Sequence, residues 1–164
     1  MSERSFSPQE IFAALDRHAV DYVTIGGVAA NAHGSRRLTL DVDIVPAPEE
    51  PNYERLAAAL DELGAPATAV DSAFRSLDPR DPFDLARANV LKLATAAGDL
   101  DVLNGAPGAP PYGDLRRRAV EVEVRGTPVR IASLDDLIAM KRASGCDKDL
   151  RDIAELTAPE DKGT

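Results

Sequence analysis

Cysteine, histidine, lysine and long apolar runs are all scarce in this chain of 164 residues. Cys146 stands alone, so no internal disulfide can form, and a reducing cytoplasm is the expected compartment. Only His18 and His33 accompany it, which leaves too few ligands for a cysteine–histidine zinc site. No stretch approaches the ~18 consecutive apolar residues of a membrane span. The opening MSERSFSPQE has no basic segment followed by an apolar one, so no secretory signal is expected. Positive charge is also short. The net charge of −9 speaks against wrapping duplex DNA through many phosphate contacts, though it leaves room for a local basic patch. No internal repeat and no linker divides the chain. One domain over 1–164 is expected, with a core over about 8–157 and a flexible polar tail over 158–164.

What is present is a mean hydropathy of −0.22 with 44% hydrophobic residues, enough for a soluble globular domain with a real core. Ser7-Pro8-Gln9-Glu10 reads as a capped helix start, followed by Ile11, Phe12, Leu15 and Ala19 at helical spacing. Tyr22 to Ile25 is a short strand that stops at Gly26-Gly27, and Val28 to His33 is helix-prone, with Gly34 as its end. A strand is expected over Leu38 to Val45 and an amphipathic helix over Tyr53 to Leu63. Residues 65 to 88 carry three prolines and little periodicity, so they read mostly as loop. Val90–Thr95 with Leu100–Leu103, and Val120–Val124 with Pro128–Ala132, read as two hairpins, separated by a loop over 104–113. Ser133 caps a helix carrying Leu134, Leu137, Ile138 and Lys141, and Asp147 starts a last helix with Leu150, Ile153, Ala154 and Leu156 facing inward. This order predicts an α+β fold with a mixed or antiparallel sheet flanked by helices.

The strand over Leu38 to Val45 is unusual. Leu38, Leu40, Val42 and Ile44 share one parity, while Thr39, Asp41, Asp43 and Val45 share the other. Residues i and i+2 of a strand project from the same face, so Asp41 and Asp43 stand side by side. Adjacent carboxylates repel unless a cation compensates, and a hard divalent ion such as Mg²⁺ does so with a few carboxylates, waters and phosphate oxygens. The paired glycine at a strand-to-helix junction lets the backbone approach a phosphate. Together these features make a site for a metal–triphosphate. A third carboxylate belongs on another strand. Asp101 is the best candidate and Asp99, on the same face, the alternative; three carboxylates can hold two metals at a phosphoryl-transfer centre.

The stretch Gly26-Gly27, a gap of thirteen residues, then Asp41-x-Asp43 resembles the signature of the nucleotidyltransferase superfamily with the polymerase-β fold. Ala29, His33-Gly34, Arg37 and Thr39 extend the likeness to small AbiEii-type toxin-like nucleotidyltransferases, as do the stretches Ser133 to Lys141 and Lys148 to Ile153. The resemblance covers roughly residues 8 to 157. It implies transfer of NMP from an NTP to an acceptor, with Mg²⁺ or Mn²⁺ as cofactor. In that reading Asp41, Asp43 and Asp101 are the catalytic and metal-binding residues, with Asp101 as third ligand or general base. Gly26, Gly27, Arg37, Thr39 and Lys141 bind the nucleotide. The implied role is the toxin of a bacterial toxin–antitoxin pair acting on RNA (a tRNA 3′ end) or on a protein hydroxyl, with a cognate antitoxin as partner.

Each feature also has a plainer reading. A paired glycine is often only a turn, and exposed carboxylate pairs are common. His33 suits closing a helix better than touching a nucleotide. Of Arg36 and Arg37, one suits an ion pair with an aspartate and the other a phosphate. Arg116-Arg117-Arg118 is a basic run whose plain role is a solvated helix end and whose functional role is RNA contact. Lysine occurs only as Lys92, Lys141, Lys148 and Lys162, which draws attention to Lys141, although a surface lysine also packs its stem. Two rivals stand beside the toxin: an antibiotic-modifying nucleotidyltransferase, whose acidic surface suits a cationic aminoglycoside, and an inactive module that binds nucleotide or a partner.

Overall fold

The computed structural model describes residues 6–145 together with Arg151, Ala154 and Leu156. The helix expected from Asp147 lies outside these residues apart from those three, which are helical, and Ala154 is exposed rather than inward-facing.

The elements run in the order α1 (Pro8–Arg17), β1 (Tyr22–Ile25), α2 (Gly26–Ala32), β2 (Asp41–Pro46), α3 (Glu50–Glu62), β3 (Ala69–Val70) and β4 (Ser76–Leu77). They continue with α4 (Pro82–Arg87), β5 (Val90–Thr95), β6 (Gly98–Leu103), α5 (Tyr112–Arg118), β7 (Val120–Val124), β8 (Thr127–Ile131) and α6 (Leu134–Ser144). Six strands form one mixed sheet in the order β5-β6-β2-β1-β8-β7. β2 is antiparallel to β1 and parallel to β6, and β1 runs parallel to β8. The expected α+β architecture is therefore present.

One side of the sheet is apolar. Val42 and Ile44 on β2 stand level with Leu100 and Val102 on β6, which meet Leu93 and Leu91 on β5, and all six are almost wholly buried. Ile11, Phe12 and Leu15 of α1 join this core, as do Leu56 and Leu60 of α3. Burying such side chains contributes about 1.5–3 kcal/mol each, which fixes the strand faces and leaves the alternate residues for the opposite side. Both expected hairpins form. The β7–β8 turn uses Arg125 at φ +46° and Gly126 at φ +87°, the left-handed pair that suits a two-residue turn between twisted strands.

Several expected boundaries move. α2 begins at Gly26 itself, not after the paired glycine. β2 begins at Asp41, and Leu38 (81% exposed) and Leu40 (63%) do not join the buried face. Pairing explains this: β1 has only four residues and reaches back no further than Asp43, while β6 pairs β2 from Asp41 onward. Neither ladder extends to residues 38–40. α3 starts earlier, at Glu50, with Pro51 in its first turn. Residues 65–88 are mostly loop and turn, as expected, but short elements interrupt them. These are the β3–β4 hairpin and α4, capped by Asp81, whose side chain accepts from Phe83 N–H. Tyr112–Arg118 forms α5, which takes Tyr112 and Gly113 from the expected loop over 104–113 and puts the arginine run at its C-terminal end. Ser7 stands at the start of α1 but its side chain caps nothing, whereas Ser133 Oγ accepts from Asp136 N–H at 3.2 Å as the spacing predicted.

Candidate active site

The face opposite the apolar one carries a row of four residues on four adjacent strands. Ile25 on β1 faces Asp43 on β2, which stands level with Asp101 on β6, which faces Lys92 on β5. Asp41, two residues before Asp43, shares this side. Carboxylate oxygens of Asp41, Asp43 and Asp101 all lie within 4.8 Å of one another. Asp99 is level with Asp41 but is exposed and outside this cluster. Thr39 Oγ1 donates to the carbonyl oxygen of Asp41 at 3.2 Å, tying the preceding loop to the start of β2.

The cluster is electrostatically unsatisfied. Burial, and then the charges of Asp41 and Asp101, push the Asp43 carboxyl up to about 8. Burial also raises Asp101, partly offset by its hydrogen bond with Asp43 and by the Lys92 ammonium. That ammonium lies 3.4 Å from Asp101 Oδ2. Among the described residues, this ion pair offsets part of the cluster's negative charge. The donors are all oxygen, hard and anionic, and close enough to share ligands, so Mg²⁺ or Mn²⁺ fits them. Such an ion would supply the positive charge that polarises a phosphoryl group and makes a hydroxyl more acidic.

Gly26 begins α2 at φ +72°, and a β-carbon there would overlap the Asp43 carboxylate. A β-carbon on Gly27 would come within 2.7 Å of Thr39 Oγ1. The paired glycine therefore keeps the backbone low over both the carboxylates and the loop. A cavity of about 380 Å³ opens beside it, and its lining includes Gly26, Gly27, Arg37, Thr39, Asp41, Asp43 and Lys141. The sequence-predicted nucleotide residues thus share one space with two of the three carboxylates, and Asp101 adjoins them. A second cavity of about 240 Å³ shares Gly26, Asp43 and Lys141 and is otherwise apolar except for Ser144, with Leu103, Leu137 and Met140 in its walls.

Other candidates have structural occupations. His33 Nε2 lies 2.9 Å from the carbonyl oxygen of Ala132, joining the end of α2 to the end of β8. Arg116, Arg117 and Arg118 pair with Asp21, Asp114 and Asp136, so the arginine run is held within the domain. A cavity of about 330 Å³ near the start of β1 is lined by Asp21 and Arg130, which pair with each other at 2.9 Å. The residue that sequence reasoning passed over is Lys92. Its alternation with the buried Leu91 and Leu93 was the signal that could have found it.

No protein-family model and no curated protein matches the chain. Among solved structures it is similar to the lincosamide antibiotic adenylyltransferase LnuA in a lincomycin-bound crystal structure, with a TM-score of 0.61 and 17% identity over 94% of this chain and 98% of that one. It is similar to the antibiotic-resistance factor ANT(2'')-Ia, with a TM-score of 0.60 and 16% identity over 91% of this chain and 80% of that one. It is also similar to an antigenic nucleotidyltransferase-like protein of Paracoccidioides brasiliensis, with a TM-score of 0.55 and 20% identity over 92% and 77% of the two chains. At these identities the likeness is one of architecture: the chain has the α+β fold of these nucleotidyltransferases.

Proposed function

We propose that this protein is a divalent-metal-dependent nucleotidyltransferase that moves NMP from an NTP to an acceptor hydroxyl. The observation that carries this reading is the convergence of Asp41, Asp43 and Asp101 within 4.8 Å. In this reading the three carboxylates hold Mg²⁺ or Mn²⁺. Gly26 and Gly27 let the triphosphate approach the backbone, and Arg37, Thr39 and Lys141 line its cavity. Asp101, at the far side of the cluster from the glycines, accepts the proton of the acceptor hydroxyl. The fold shared with adenylyltransferases agrees with this chemistry without establishing it.

The acceptor reading offered by the AbiEii-type resemblance is an RNA 3′ end or a protein hydroxyl, with the chain as the toxin of a cytoplasmic toxin–antitoxin pair. A second reading, an antibiotic hydroxyl, draws support from two structural neighbours: LnuA is bound to lincomycin, and ANT(2'')-Ia is in complex with adenylyl-2''-tobramycin. Incubating the protein with each α-³²P-NTP, Mg²⁺ and either cell extract or the two antibiotics separates them by which product carries label. Asp41→Ala should abolish labelling while leaving the thermal midpoint unchanged or raised, because it removes one of several mutually repelling carboxylates. A folded Asp41→Ala protein that transfers nucleotide at the wild-type rate would end the enzyme reading. If the protein is a toxin, the wild type arrests bacterial growth and Asp41→Ala does not.

A further inference from the structure

We infer that Lys92 is the acceptor-side cation of this site, and that the acceptor hydroxyl is flanked by an anionic group such as a phosphodiester. The inference rests on the nucleotidyltransferase reading above and deepens it by naming the acceptor's charge.

The argument starts from order across the sheet. The cavity holding Gly26, Gly27, Arg37 and Lys141 adjoins β2 and the start of α2. Moving the other way from Asp43, the same row passes Asp101 on β6 and ends at Lys92 on β5. Lys92 and the triphosphate cavity therefore lie on opposite sides of the carboxylates. Two strand spacings, about 10 Å, separate the backbone of Lys92 from that of Asp43.

Transfer at phosphorus is in line, with the attacking and leaving oxygens on opposite sides of the reacting atom. The acceptor oxygen forms a bond to the α-phosphorus as the bond from that phosphorus to the bridging α–β oxygen breaks. Pyrophosphate leaves with that electron pair toward the arginine and lysine of the cavity. The hydroxyl proton passes to the Asp101 carboxylate and then to solvent. A leaving group held on the Gly26–Gly27 side requires an acceptor on the Asp101–Lys92 side.

Lys92 suits that place. Its side chain is 76% exposed, and among the described residues its ion pair is with Asp101 at 3.4 Å, which occupies one of three N–H donors. At that exposure the ammonium is open to an incoming anion beside the carboxylate that receives the proton. A cation there attracts a phosphate next to the reacting hydroxyl and repels the ammonium groups of an aminoglycoside. It also answers how a chain of net charge −9 can receive a polyanion: the compensating charge is local.

The test uses the full chain with Lys92→Met and Lys92→Arg. Two acceptors are compared, a short oligoribonucleotide with a free 3′ hydroxyl and tobramycin. NTP binding is measured separately by calorimetry with Ca²⁺ in place of Mg²⁺. The wild type should label the oligoribonucleotide. Lys92→Met should lower kcat/KM for it by about ten-fold or more, mainly through KM, and the log–log salt dependence should lose about one unit of slope. Lys92→Arg should restore most of both, and NTP affinity should stay within about two-fold in either variant. Label on tobramycin but not on the oligoribonucleotide overturns the inference and leaves the nucleotidyltransferase reading standing. A Lys92→Met protein whose NTP affinity falls in step with its transfer also overturns it, because the lysine would then act only through the carboxylates. A wild type that neither binds NTP nor labels either acceptor removes the parent reading itself.

Discussion

The backbone of Gly26 lies against the Asp43 carboxylate so closely that a β-carbon on Gly26 would overlap Asp43 Oδ2. The glycine therefore answers two demands at once, a φ of +72° and the absence of a side chain above the carboxylate. Gly26→Ala should strain the backbone and displace Asp43, costing about 1–3 kcal/mol of stability together with nucleotide transfer. Melting curves and transfer assays on one preparation check both. Gly27 has no positive φ, so its restriction comes from the neighbouring Thr39 and not from backbone strain. A Gly26→Ala protein with wild-type melting and transfer would contradict the close approach.

The clustered, partly buried carboxylates should make stability without divalent cations depend on pH. Asp43 is raised to about 8 in the fold, whereas an unperturbed aspartate titrates near about 3.9. Between those values the folded protein holds a proton that the unfolded chain has lost. This contribution to stability is fully present below about pH 4 and is lost as the pH rises through about 8. In EDTA the wild-type midpoint should fall across that window, and Asp43→Asn should flatten the fall. Added Mg²⁺ should recover much of the loss in the wild type and little of it in Asp43→Asn. Scanning calorimetry across pH, with and without Mg²⁺, gives the comparison.

The β3–β4 turn should respond to acid in the opposite sense. The Asp71 carboxylate pairs with Arg75 and accepts from the backbone N–H of Ala73 and Arg75, each at 3.0 Å. The Arg75 guanidinium leads in holding that carboxyl down to about 2. Its contribution is present above about pH 4 and is lost as the pH falls through about 2. Asp71→Asn should speed hydrogen exchange over residues 69–77 at neutral pH and leave nucleotide binding intact, since the turn lies beyond the edge of β5. Slow exchange there in the variant would show that the turn is held by other contacts.

Arg118 should matter for folding and not for RNA. Its guanidinium lies 3.0 Å from Asp136 Oδ1, and Asp136 is 5% exposed with Oδ2 lacking a hydrogen-bond partner among the described residues. Removing the arginine leaves a buried carboxylate uncompensated, so Arg118→Ala should cost about 3 kcal/mol. Asp136→Asn in the same chain should return part of that, as denaturant titration of the single and double variants would reveal. If Arg118→Ala instead left stability untouched and weakened RNA binding, the arginine run would be an interface after all.

Much of this was legible from local pattern. The alternation of Val42 and Ile44 with Asp41 and Asp43, the Ser133 cap, both hairpins and the break at Gly26-Gly27 depend on near neighbours, whose steric and hydrogen-bonding preferences act over a few residues. Other features depend on partners far along the chain. The arginines of α5 looked free because Asp21 and Asp136 meet them only in the fold. Leu38 and Leu40 continued the parity of β2, but neither β1 nor β6 extends to pair with them.

The sequence by itself determined that Asp41 and Asp43 share a strand face and that a paired glycine precedes them. Tertiary structure decided which carboxylate joins them. Asp99 and Asp101 have the same parity on β6, so sliding that strand by two residues would exchange them and still bury one continuous apolar face. The observed register sets Leu100 opposite Val42 and Val102 opposite Ile44, and thereby brings Asp101 level with Asp43. Alternation specifies a strand's faces but not its offset from a distant neighbour. That offset is fixed by how the buried side chains of separate strands fit together.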